Sequence, residues 1–305
     1  MKRLYFVFSI LTALFFSACS GTGNQDGDSW DLFSDNVKEK LKERYNDVHS
    51  DVCNGLCIVW SKEDGHKIGF VNVKGKEVIP CIYDAAKSFS NQYAAVAKEV
   101  EGKRLWGFIN KKGEEIVPCT YKEVGDFSKD GLAFVCVNSE DTKKDVYGFV
   151  NTKGEVAIPL TFDGTDGFSE GLARVYSRDK RANGYINTKG ELVIAYMYDQ
   201  ASYFSEGVAW VNKDDRYFVI DKENETVFKL KDGYEPRGDF HDGLAVVAEE
   251  GWFTLKGYVN KEGEFVVPVK YDIAEDFENG IAEVKEEKGF SYYINTKGEK
   301  VEIDD

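Results

Sequence analysis

The sequence predicts an all-β fold of seven repeated antiparallel units, each of three to four strands, with one short N-terminal helix. The units are expected to assemble as a seven-bladed β-propeller, with an open β-solenoid as the alternative. Three observations predict this. An Asn- or Asp-led turn recurs seven times, an aromatic pair six residues apart recurs six times, and a Gly-Leu-Ala-like run recurs beside them. Composition agrees, since 21 Phe and 17 Tyr favour strands and 29 Gly against 5 Pro suit many tight turns.

The chain opens with a targeting signal. Lys2 and Arg3 form a basic start, and residues 4–16 form an apolar run too short to span a bilayer. Phe16-Ser17-Ala18-Cys19 then resembles a bacterial lipoprotein cleavage site, although Phe16 stands where Leu is usual. The resemblance implies removal of residues 1–18 and lipid attachment at Cys19, hence an outer-membrane lipoprotein that is periplasmic or surface-exposed. Without Lys2 and Arg3 the chain keeps 37 basic against 54 acidic residues, a charge of −17. That balance excludes a nucleic-acid partner and disfavours docking on an anionic membrane surface, so membrane contact falls to the lipid.

Residues 19–29 are small and polar and read as a flexible tether. The Asp26, Asp28 and Asp31 spacing lacks the Glu that a calcium loop requires. Residues 30–52 read as the one helix, with Ser34 or Asp35 as N-cap and Val37, Leu41, Tyr45 and Val48 along one stripe. Such a narrow stripe suits capping of a larger body. Residues 53–305 form the repeat domain.

Each turn opens at Asn72, Asn110, Asn151, Asn187, Asp221, Asn260 or Asn295, and three residues later stands Gly, or Asn at position 224. Asx side chains open such turns, and the last place must accept positive φ, which Gly does freely and Asn next best. The aromatic pairs are Tyr83/Phe89, Tyr121/Phe127, Phe162/Phe168, Tyr198/Phe204, Tyr234/Phe240 and Tyr271/Phe277. They are expected to plug neighbouring sheets together. Pro80, Pro118, Pro159 and Pro268 end the strand before the pair, because Pro donates to no ladder.

These patterns carry a resemblance. Trp106-Gly107-Phe108-Ile109-Asn110, Tyr147-Gly148-Phe149-Val150-Asn151 with Lys153-Gly154-Glu155, and Phe168-Ser169-Glu170-Gly171-Leu172-Ala173 are similar to WG repeats, also called KWG repeats. The family implies a bacterial β-repeat domain of secreted or envelope proteins and no shared catalytic residues. Phe218 and Tyr292 take the Gly place in the fifth and seventh units, which are therefore expected to be irregular.

No nucleophile elbow, P-loop or dinucleotide fingerprint occurs, and His49, His66 and His241 stand apart in sequence, so no catalytic or metal residue and no cofactor is assigned. Asp126, Asp166, Asp239 and Asp276 recur before the second connector aromatic, which reads as structural. Cys53, Cys57, Cys81, Cys119 and Cys136 read as buried thiols. The variable loops at 98–105, 138–145, 178–183 and 249–256 are the expected binding face, with Trp106, Trp252 and Phe253 as weak ligand candidates beside Trp60 and Trp210. The function expected is a binding or scaffolding module for a protein or glycan partner, not an enzyme. The alternative is a carbohydrate-active enzyme drawing carboxylates from several repeats.

Overall fold

The computed structural model describes residues 32–63, 66–251 and 254–302, with the backbone alone at 50 and 51. The signal segment, Cys19, the tether, Trp252 and Phe253 lie outside the described residues. The described chain falls into two compact bodies, one ending at Tyr121 and one starting at Lys122.

At every turn the amide of the fourth residue donates to the carbonyl of the first, as in Gly75 to Asn72 and Gly298 to Asn295, both 2.8 Å. Asn224 takes the required left-handed place with φ of 67°. The Asn151 side chain accepts from the amides of Lys153 and Glu155 at 2.9 and 3.1 Å, and its Nδ2 donates to the Glu155 carboxylate at 2.9 Å. The Glu of the Lys-Gly-Glu run thus closes the turn from outside.

Seven four-stranded antiparallel sheets lie around these turns, spanning residues 45–83, 85–121, 123–162, 164–198, 200–229, 234–271 and 273–301. They are called sheets 1 to 7. The three strands of each repeat are the second to fourth of its sheet, and the connector after the third of them supplies the first strand of the next sheet, as Ala85–Ala86 does for sheet 2 and Gly164–Ser169 for sheet 4. Sheets 1 and 2 belong to the first body and sheets 3 to 7 to the second.

The helix is shorter than its stripe predicts. Helix α1 spans Asp35–Arg44, and Tyr45–Cys53 is a strand paired with Leu56–Ser61. Asn46, Asp47 and Asp51 are poor helix formers, and pairing along the sheet edge outweighs a stripe that this stretch only half satisfies. Ser34 is the N-cap residue, and its carbonyl receives the amides of Val37 and Lys38 at 2.8 and 2.9 Å. Phe33 and Leu41 pack with Tyr45 over Cys57, Val59 and Val71 of sheet 1. The equivalent face of sheet 2, Ala94, Val96 and Ile109, packs on Phe70 and Ile79 of sheet 1. Helix α1 therefore does for sheet 1 what sheet 1 does for sheet 2.

The glycine of the Trp-Gly pattern has a steric cause. At Gly148 a Cβ would lie 2.6 Å from the Ile158 carbonyl and 2.8 Å from Leu160 Cα, because the bulged third strand crosses the glycine closely. Where Phe218 replaces it, the shift at that position is gone and one remains between Val219 and Ile220: Phe218 pairs directly with Lys229, and the strand shrinks to Thr226–Lys229. The seventh sheet, with Tyr292 there, has Lys300–Val301 as its fourth strand.

Connector aromatics plug the sheets as expected. Phe89 meets Phe70 edge-on at 5.0 Å, Phe204 meets Tyr185 at 4.9 Å, and Phe277 meets Tyr258 at 4.8 Å. Polar latches join successive repeats of the second body. Ser169 and Ser205 donate to the carbonyls of Phe204 and Phe240, both at 2.6 Å. Glu170, Glu206 and Asp242 accept from the amides of Gly207, Gly243 and Gly280 at 2.9, 3.0 and 2.6 Å. Lys222 and Lys261 close two of these latches as ion pairs at 3.1 and 2.9 Å.

Cys57, Cys81, Cys119 and Cys136 are in no disulfide; Cys57 and Cys136 are buried as expected, Cys81 and Cys119 only partly, and burial pushes the Cys136 thiol up to about 11. Cys53 departs from that expectation, being disulfide-bonded.

Candidate functional site

In the Gly-Leu-Ala-x-Val strand, position x is Ile58, Ala95, Phe134, Arg174, Trp210, Val246 and Glu283 in successive repeats. Its side chain points at the sheet's own connector: a Cβ on Gly125 would collide with the Phe134 ring. In sheet 4 that place holds Arg174, whose Nε donates to Asp166 Oδ2 at 2.6 Å and whose second nitrogen completes the ion pair. Arg174 also donates to Asn183 Oδ1 at 3.2 Å. Asn183 stands where the preceding two repeats carry Trp106 and Tyr147, is 3% exposed, and spends its amide on the carbonyls of Tyr198 and Asp199. Each buried polar atom of this network is satisfied, which such a network requires.

One repeat later Tyr203 stands where Asp239 and Asp276 stand in theirs. Its ring is 43% exposed. Loss of water, with Asp166 nearby, pushes its phenol up to about 12. Beneath it Tyr185 donates to the Ser202 carbonyl at 2.7 Å, as Tyr258 does to Glu275 at 2.8 Å. Asp239 lies beside Ser202, and burial raises its carboxyl, partly offset by the Ser202 hydroxyl and His241. Asp276 Oδ1 sits directly over Gly238, leaving no room for a Cβ. His241 Nε2 lies 3.8 Å from Asp276 Oδ2. Although 47% of the Asp276 side chain is exposed, the crowding of Gly238 and its neighbours excludes water on one side and raises its carboxyl.

The result is a row drawn from four successive connectors of the second body: Asp166 with Arg174, Ser202 with Tyr203, Asp239 with His241, then Asp276. It interleaves hydrogen-bond acceptors with donors around one open aromatic face. The latches hold these connectors in register, so the row is set before any ligand arrives. Beside it, Trp210 stacks on Phe240 at 5.6 Å, and its indole N–H is the one fully buried side-chain donor without a partner among the described residues. Among the described residues no group of three or more His, Cys, Asp or Glu is arranged to hold a metal ion.

Three of the four repeated aspartates thus converge, an arrangement their spacing did not reveal. Arg174, Asn183 and Tyr203 went unnoticed in the sequence, yet each breaks its repeat position. The aromatic candidates fare differently. Trp106 is half-buried in the strand Lys103–Asn110, opposite Ala97 and Tyr121, and not in a loop. The expected loop 98–105 is mostly hairpin, turning at Glu101 and Gly102, both with positive φ. Trp60 packs on the core with His49 stacked at 6.3 Å, and Trp210 is buried.

Comparison with known proteins places the fold. No curated protein sequence matches the chain. Among solved structures, one described as the crystal structure of the eukaryotic initiation factor is 12% identical, with a TM-score of 0.56 over 82% of this chain and 73% of that one. BamB from Moraxella catarrhalis is 9% identical, with a TM-score of 0.43 over 77% of this chain and 80% of that one. A protein of unknown function from Bacteroides caccae is 14% identical, with a TM-score of 0.31 over 70% of this chain and 92% of that one. The first likeness shows a propeller-like β fold and nothing about activity; the other two carry no argument. The WG containing repeat matches residues 68–99, 106–140, 147–180, 184–217 and 257–289, passing over the irregular end of sheet 5. With more than half of its length matched, the chain belongs to the WG containing repeat family.

Proposed function

We propose that this chain is a lipid-anchored binding and scaffolding module of the bacterial cell envelope, engaging a protein or glycan partner through the polar row and the loops beside it. One observation carries the binding role. Arg174 and Tyr203, two departures from the repeat, stand with Asp166, Asp239 and Asp276 in one exposed row of connectors. The anchor is supported by the basic start, the apolar run 4–16 and Cys19 after two small residues. It places the module on the outer membrane, facing the periplasm or the surface.

Two measurements test this reading. Capture from envelope extracts should recover a protein or glycan with the wild-type chain and lose it with Tyr203→Ala combined with Asp239→Asn; recovery of nothing above background would refute binding. Mass spectrometry of the membrane fraction should find a diacylated N-terminal Cys19. A diacylglyceryl thioether uses Sγ, so a Cys19 found in a disulfide would remove the anchor.

A second reading is an envelope carbohydrate-active enzyme. It is favoured by Asp239 and Asp276, carboxyls from successive repeats that burial raises, since a raised carboxyl suits a general acid. Release of reducing ends from envelope polysaccharides, abolished by either Asp→Asn change, supports it; no release by the wild-type chain excludes it.

A further inference from the structure

We propose that the row around Tyr203 is a binding site for a neutral sugar ring, stacked on the Tyr203 face and hydrogen-bonded by Arg174, Asp166 and Asp239. This rests on the binding-module reading and narrows its partner to a glycan.

Position x is apolar in five of seven repeats, where it packs between sheets. Placing a guanidinium there forfeits that packing. Sheet 4 accepts this loss and commits a buried Asn183 to holding Arg174 in place. Neither residue is required by the repeat, since the other sheets form without them. The ion pair with Asp166 fixes the guanidinium and leaves it one-third exposed, with 31% of the side chain reachable. Arg174 is thus a rigid donor at the surface.

Tyr203 is the second departure. Every other described connector has Ser, Asp or Gly at that place, so no plug requires an aromatic there. The Ser169 hydroxyl bound to the Phe204 carbonyl at 2.6 Å fixes the Tyr203 connector against the one that carries Asp166. A large apolar face held still and left open is costly to hydrate, and covering it returns that free energy.

The polar groups on either side select the occupant. Asp166 precedes Tyr203 by one repeat and Asp239 follows it by one, so an acceptor lies on each side of the ring. Arg174 supplies a donor on the Asp166 side, while the Ser202 hydroxyl is engaged by the Tyr203 carbonyl at 2.9 Å and the Trp210 amide at 3.2 Å. A saturated sugar ring presents the complement: an apolar C–H face for the phenol ring and rim hydroxyls that both donate and accept. A basic peptide is the competing occupant, because the chain carries a net charge of −15. It is disfavoured by Arg174, which already neutralises Asp166 and would repel a second cation.

The test is calorimetric titration of the mature chain with cellopentaose, maltopentaose and chitopentaose, and with pentalysine as the charge probe. The expected result is saturable binding of at least one oligosaccharide. Tyr203→Ala and Arg174→Gln should each weaken it by about tenfold or more, while Tyr203→Phe leaves it within about threefold. Thermal melts of each variant separate lost binding from lost folding; Tyr203, already exposed, should not move the melt. Oligosaccharide binding that survives Tyr203→Ala overturns the proposal, as does the absence of any oligosaccharide binding. Pentalysine binding lost in Asp239→Asn, with no sugar bound, reassigns the row to a basic peptide. A protein partner captured equally by wild type and Tyr203→Ala removes the sugar site but leaves the binding module standing.

Discussion

Gly148→Ala is the most direct test of why the repeat keeps its Trp-Gly or Tyr-Gly signature. The added methyl would sit 2.6 Å from the Ile158 carbonyl oxygen and 2.8 Å from both Leu160 N and Cα, and all three are backbone atoms that cannot rotate away. Either the strand Val156–Phe162 lifts, or the crowding is absorbed as strain. Absorbed overpacking costs about 1–3 kcal/mol. If the strand lifts, Ile158, now 1% exposed, becomes wetted, and re-exposing such a side chain costs about 1.5–3 kcal/mol. The expected loss is therefore roughly 1–3 kcal/mol, whichever route the chain takes. Gly167→Ala is the control, since its Cβ meets nothing within 4 Å. Urea unfolding gives the midpoint shift, and hydrogen exchange of the 156–162 amides shows where the loss falls. A Gly148→Ala protein within about 0.5 kcal/mol of wild type, with those amides still protected, would refute the close-crossing account.

Three further outcomes follow from the same geometry. Leu41→Ala should cost about 2–4 kcal/mol by opening a cavity under α1, and alkylation of the Cys57 thiol, at 0% exposure now, should accelerate with it. Glu206→Gln should lower stability at neutral pH: the Lys261 ammonium and the Gly243 amide hold its carboxyl below the usual range, so its contribution is present above the unfolded value and fades as pH falls through the folded one. Asp239→Asn should do the reverse, stabilising the second body at neutral pH. Burial raises this carboxyl, so its ionisation costs the folded state stability at neutral pH, and wild type should draw level with Asp239→Asn as pH falls through that raised value. Midpoints of unfolding between pH 3 and pH 8 check both signs.

The turns, the plugs and the irregular fifth repeat were legible because their causes are local. An Asn, a positive φ three residues on and a Pro strand end constrain a dozen neighbouring residues and little else. The end of α1 was not. Tyr45, Val48 and Val52 sit at spacings that a helix and a bulged strand both tolerate, and only the partner strand Leu56–Ser61 decides between them. The hairpin at Glu101 and Gly102 was hidden for the same reason, since Lys103 and Arg104 look like loop residues until they pair with Val100 and Glu99. The row lay further out of reach. Asp166, Asp239 and Asp276 are 73 and 37 residues apart, and the stacking of sheets, which no local pattern encodes, is what brings them together.

A repeat protein advertises function differently from a single-site enzyme. Seven sheets of this kind need the same Asn, Gly and aromatic at each step, so what recurs is accounted for by folding. What does not recur is free to be selected for something else, or to drift. Drift predicts isolated polar exceptions on exposed positions, where substitution is nearly neutral. Arg174 and Asn183 are not of that kind. Arg174 stands at a place that is apolar in five of seven repeats, Asn183 is 3% exposed, and losing their hydrogen bond leaves the buried Asn183 amide oxygen unpaired, at about 1–3 kcal/mol. Each would have been costly to acquire alone, yet together with Asp166 they form a satisfied network that ends at the one exposed connector aromatic of the second body's row. Selection for a rigid surface donor beside Tyr203 accounts for that combination; packing alone does not.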